Sequence, residues 1–105
     1  MINKYSAYIY DNQKELLELL NFMWDNDMIS GVEYDWWEDD ETIPLENKEN
    51  LLTLALVDID NMLDDIYNDR DIADDDKIRQ KRYLCYMESV INKHLRIMKV
   101  ELGNE

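Results

Sequence analysis

The segment DNDMISG, residues 25–31, opens like a calcium-binding loop, with Asp25 and Asp27 at the first two ligand positions. An EF-hand loop continues as D-x-[DN]-x-[DN]-G, because alternate short oxygen ligands converge on the ion and the glycine makes the sharp turn. Here Ile29 stands at the third ligand position and Ser30 at the glycine position, so the ligand set is broken. The run VDIDN, residues 57–61, continues into Met62 and has no glycine. One histidine and one cysteine cannot assemble the four nitrogen and sulfur ligands of a structural zinc site. Neither a metal nor a cofactor is expected.

Catalysis finds no better footing. Paired carboxylates such as Asp64 and Asp65 could divide acid and base roles, yet many equivalent pairs exist and nothing singles one out. Cys85 lies inside the apolar run YLCYM and reads as a small buried hydrophobe; His94, beside Leu95, reads as a residue of the core edge. No glycine-rich phosphate loop is present. An enzyme is not expected. The segment IRQKRY, residues 78–83, places Arg79, Lys81 and Arg82 beside Tyr83, the raw material of a nucleic-acid patch. The expected use of these bases is pairing with the aspartates between Asp58 and Asp69 on a neighbouring helix. A net charge of −14 repels DNA, so no direct nucleic-acid partner is expected.

The elements that must carry these side chains follow from periodicity. At 105 residues, 46% of them apolar, the chain fits one domain with a real core, an acidic helical domain over residues 1–105. Two glycines and one proline argue for long helices with few turns. Asn12 followed by Glu15 resembles a capping box, opening a helix that carries Leu16, Leu17, Leu20, Met23 and Trp24 and ends before Gly31. Leu52, Ala55, Leu56, Ile59, Met62, Leu63, Ile66 and Tyr67 mark a second helix, with Pro44 tolerable in a first turn. Asp74 or Asp75 can cap a third, running to about Leu102 before Gly103, whose stripe is Leu84, Met87, Ile91, Leu95, Met98 and Leu102, widened by Tyr83, Tyr86, Val90 and Ile97. A mainly α, three-helix bundle-like domain is expected. The alternations at 5–10 and 32–37 allow a small two-stranded antiparallel sheet beside it.

The lone Cys85 excludes an internal disulfide framework and fits a reducing compartment. The polar N-terminus lacks the apolar stretch of a secretory signal, and no segment has the roughly 18 to 20 apolar residues of a membrane span. A cytoplasmic protein without a membrane partner is expected.

Charge is distributed by region. Residues 1–69 hold 18 acids against Lys4, Lys14 and Lys48, whereas residues 70–105 hold 7 acids against 8 bases. The segment VEYDWWEDDE places Glu33, Asp35, Glu38, Asp39, Asp40 and Glu41 around Tyr34, Trp36 and Trp37 with no base among them. On the second helix Asp58, Asp64, Asp65 and Asp69 oppose the apolar stripe, and carboxylates at i and i+4 stand roughly 6 Å apart, near the spacing of phosphates on one strand. Such a surface attracts basic proteins. An exposed Trp36 or Trp37 would add the desolvated anchor that charge lacks. The partner-binding set is therefore Glu33, Asp35, Trp36, Trp37, Glu38, Asp39, Asp40, Glu41, Asp58, Asp64, Asp65 and Asp69.

In overall composition, and in the acidic segments 25–46 and 58–69, the chain resembles the small acidic DNA-mimic inhibitors of phages and mobile elements, of the anti-CRISPR and anti-restriction kind. The resemblance implies an inhibitor that occupies the nucleic-acid site of a DNA- or RNA-guided nuclease. Two other readings fit the same surface: an immunity protein or antitoxin masking a basic toxin, and an acidic structural or assembly subunit. The wide stripe of the third helix admits either a monomer or a homodimer.

Overall fold

The computed structural model describes residues 4–38 and 43–103. Over these residues the chain forms α1 (Lys4–Asp11), α2 (Gln13–Asp25), α3 (Gly31–Asp35), α4 (Leu45–Asn68) and α5 (Asp74–Leu102), one all-helical domain with no strand among them. None of these helices is long and apolar enough to cross a membrane.

The two-stranded sheet is not formed. Residues 5–10 lie in α1, because Tyr5, Tyr8 and Ile9 satisfy the i, i+3, i+4 spacing of a helix face as well as an alternation, and Tyr5 and Ile9 are buried on it. Residues 32–37 form α3 and the turn after it. Their helix is started by a capping box: the Glu33 N–H donates to Ser30 Oγ at 3.2 Å, and the Ser30 N–H donates to Glu33 Oε1 at 2.9 Å. The box expected at Asn12 and Glu15 does not form. Asn12 does stand at the N-cap of α2, but its amide donates to the Tyr8 carbonyl at 2.8 Å, and Glu15 is engaged elsewhere.

α5 is the spine. α4 pairs with it over the greatest length, and α1 and α2 reach it through His94 and Tyr83. Leu84, Met87, Ile91, Leu95 and Met98 face the core as their spacing predicts. α5 ends on Gly103 at φ 73°, the left-handed cap glycine accepts without strain. At its start Ala73 is the N-cap, and Asp74, Asp75 and Asp76 fill the first turn, where their charge meets the positive end of the helix dipole. Cys85 is exposed, contrary to expectation, because it lies about 100° around the helix from inward-facing Leu84. Tyr83 and Tyr86, expected to widen the stripe, stay half-exposed at its edge.

A buried polar chain crosses the core. Trp37, 4% exposed, donates its indole N–H to the Tyr5 hydroxyl at 2.8 Å, and that hydroxyl lies 2.8 Å from His94 Nδ1. The indole donates to the Tyr5 oxygen, and because Nε2 faces a carboxylate that can only accept, the neutral imidazole carries its proton on Nε2 and takes the Tyr5 proton at Nδ1. Nε2 faces Glu15 Oε1 at 3.6 Å, too long for a strong hydrogen bond, while the Tyr8 hydroxyl holds the same oxygen at 2.6 Å. Burial pushes His94 down to about 4, and Glu15 pulls the other way too weakly to restore it. Burial, aided by Glu15, lifts the Tyr8 phenol to about 12.

Two outcomes follow from this chain. Tyr5→Phe strands a buried indole N–H and Nδ1, and should cost about 2–4 kcal/mol in urea unfolding. Because the folded imidazole resists protonation, its contribution is complete above pH 6.5 and is lost as pH falls toward 4, by about 3 kcal/mol in all. Urea unfolding at stepped pH should show this fall, and His94→Gln should remove it.

Candidate functional site

α3 is short, and its position is set at both ends. The capping box fixes its start, and Trp37, two residues beyond its end, is locked into the core by Tyr5. Between these points the backbone swings past α2 and leaves an open groove of about 630 Å³ lined by Asn21, Trp24, Gly31, Val32, Tyr34 and Asp35. Trp24 is 48% exposed and Val32 71%. Trp24 and Tyr34 meet edge to face, with ring centroids 5.9 Å apart and planes at 86°. The Tyr34 hydroxyl donates to Asn21 Oδ1 at 3.1 Å. At Gly31 the backbone approaches the indole so closely that a Cβ would lie 3.2 Å from the ring.

The chain leaves α2 through a Schellman motif. The Met28 N–H bonds the Met23 carbonyl at 2.8 Å, and the Asp27 N–H bonds the Trp24 carbonyl at 3.1 Å. Such motifs place glycine at the left-handed residue, yet Asp27 occupies it at φ 57°. A carboxylate stands where glycine would cost less.

The sequence-predicted residues separate into three groups. Glu33, Asp35, Trp36, Trp37 and Glu38 belong to α3 and its turn; Asp35 and Glu38 are exposed, Trp36 is half-buried, and Glu33 spends one oxygen on the capping box. Trp37 is core and offers no surface to a partner, since its ring and its N–H are both used internally. Asp39, Asp40 and Glu41 lie outside the described residues. Asp58, Asp64 and Asp65 are exposed on α4, and Asp69 caps its end, its carboxylate accepting from the Asp71 N–H at 2.8 Å.

The α4 carboxylates do not make one row. At 100° per residue, Asp60 and Asp64 fall on one flank and Asp58 and Asp65 on the other, with an outer ridge of Leu54, Val57 and Asn61 between them. Leu54 and Val57 are 61% and 53% exposed. α3 packs on α2 and α4 on α5, so the two acidic surfaces are carried by separate elements.

The chain matches no protein-family model, no curated protein and no solved structure. Its own geometry therefore carries the reading.

The expected pairing of α5 bases with α4 aspartates is not found among the described residues. Lys93 reaches Glu15 at 4.0 Å, and Lys81 lies over the Tyr67 ring, 5.2 Å from its centroid. The α4 aspartates keep their charge uncompensated. No three His, Cys, Asp or Glu side chains converge as a metal ligand set among these residues. Trp24 and Val32 were legible only in part: Leu17 and Trp24, seven apart, fall off the line through Leu16, Leu20 and Met23, and that offset marks an exposed flank.

If Asp27 is held in a conformation that disfavours side chains, Asp27→Gly should raise stability by about 1 kcal/mol in urea unfolding without changing helix content.

Proposed function

We propose that this protein is an inhibitor that occupies the basic nucleic-acid-binding cleft of a defence nuclease, such as an RNA-guided effector, and excludes DNA or guide RNA by charge mimicry. The observation that supports it most is the pairing of uncompensated carboxylates with an exposed aromatic groove on one small rigid body. Charge draws in a cationic partner, and Trp24 and Tyr34 supply the apolar contact that holds it.

Dimensions favour the same reading. The molecule measures 51 × 30 × 22 Å. A duplex of that length carries about 30 phosphate charges at one per ~1.7 Å. The chain carries a net charge of −14, about half as much, and residues 1–69 hold all of it, with 18 acids against 3 bases. A cleft shaped for a duplex thus meets a body of similar length and the same sign of charge.

The experiment is competition. A DNA-binding nuclease from the native host should be retained by the protein, should lose its DNA as the protein is added, and should be released as salt rises past the range where screening length falls below about 10 Å. Replacing exposed Asp25, Asp35 and Glu38 together by serine should weaken inhibition roughly tenfold, at up to about 1 kcal/mol per exposed pair, with no loss of thermal stability. Inhibition that ignores both salt and these serines would sink the charge reading. Retention of a cognate toxin in place of a defence nuclease would move the protein to the immunity class.

A further inference from the structure

The groove between α2 and α3 has a chemistry narrower than its charge. Trp24 and Tyr34 stand at 86° to each other and form an aromatic corner. Gly31 holds one edge of the indole against the backbone, and Asn21 fixes Tyr34 through its hydroxyl. Asp35 lines the same space, and the chain carries no base between Lys14 and Lys48.

Each class of occupant meets this corner differently. An anion is repelled by Asp35 and by the net charge of −14. A purely apolar segment would leave the Asp35 carboxylate desolvated and unpaired. A second copy of this chain would bring like charges together. A cation is drawn both by the ring faces and by the carboxylate. Among cations, guanidinium is planar, weakly hydrated and able to stack while its edge pairs with a carboxylate, whereas ammonium is compact and strongly hydrated.

We propose that the groove is an arginine pocket, seating one guanidinium of a basic partner segment against the Trp24–Tyr34 corner with Asp35 as its counter-ion. The pocket deepens the inhibitor reading and rests on it for the identity of the partner: it names the side chain that is gripped after charge has steered the two proteins together. The α4 surface, by contrast, offers carboxylates without aromatic walls and should not discriminate between the two basic side chains.

The test is titration of the full-length, isotope-labelled protein with octa-arginine and with octa-lysine at about 0.15 M salt, where long-range attraction is screened beyond about 8 Å. Octa-arginine should shift the Trp24 indole resonance and the amides of residues 31–35, and should bind roughly tenfold tighter than octa-lysine. Trp24→Ala should equalise the two peptides, Trp24→Phe should leave a reduced preference, and Asp35→Asn should weaken octa-arginine several-fold. Trp24→Phe keeps an aromatic ring beside Tyr34, so it reports even where the alanine variant unfolds. Equal affinity of the two peptides for the unaltered protein overturns the pocket, and so do shifts confined to α4. The titration needs no nuclease: an arginine preference without nuclease inhibition overturns the inhibitor reading alone, and inhibition without the preference overturns the pocket alone.

Discussion

The hydrogen-bonded chain from Trp37 through Tyr5 to His94 is the constraint on which the acidic surface depends. It joins three parts of the sequence: the first helix, the last helix and the turn after α3. α3 has five residues and buries none of them completely, so its packing on α2 through Gly31 and Tyr34 is slight. Trp37 supplies a further hold from just beyond its end. The carboxylates of residues 33–38 are therefore displayed from a fixed frame, although the stretch that bears them repels itself.

That repulsion explains the form of the rest. A domain with net charge −14 must recover by burial what it loses to self-repulsion. The core does so with a continuous apolar interior contributed by α1, α2, α4 and α5, while the acids are kept on outward flanks. Asp27 shows the preference at its sharpest. The end of α2 demands a left-handed residue, and the sequence installs a carboxylate there. Aspartate is among the few side chains that tolerate this conformation, so the position keeps its charge at modest strain.

The long elements could be read from the sequence because their signals are redundant. The stripe of α5 repeats over about five turns, so no single exception disturbs it, and glycine at 103 marks the stop by a requirement no other residue meets as well. Short segments carry no such redundancy. The pattern at 5–10 fits both a period of 2 and one of 3.6, and only tertiary contacts to His94 decide between them. At 30–33 Ser30 and Glu33 have the spacing of a capping box, and it overlaps an equally good alternation from Val32 to Trp37. Lys48 is wholly buried at a position where helix periodicity asks for an apolar residue, a placement composition cannot announce. Which tryptophan faces water was likewise undecided by sequence, since Trp24, Trp36 and Trp37 differ only in what lies opposite them.

The division of labour between the two kinds of surface follows from magnitude. An exposed ion pair contributes about 0–1 kcal/mol, and salt reduces it further. In the proposed inhibitor, carboxylates on the two flanks of α4 would act mainly on encounter, by raising the local concentration of a cationic partner and orienting it. There a half-exposed Trp24 and a partly buried Tyr34, set at right angles, would act on residence, because an aromatic anchor that loses its water can carry about 2 kcal/mol or more. Charge without such an anchor would bind every basic protein weakly. An anchor without charge would have to find its partner unaided. In the proposed inhibitor the two are mounted on one body, with the groove between α2 and α3 beside the acids of residues 33–38.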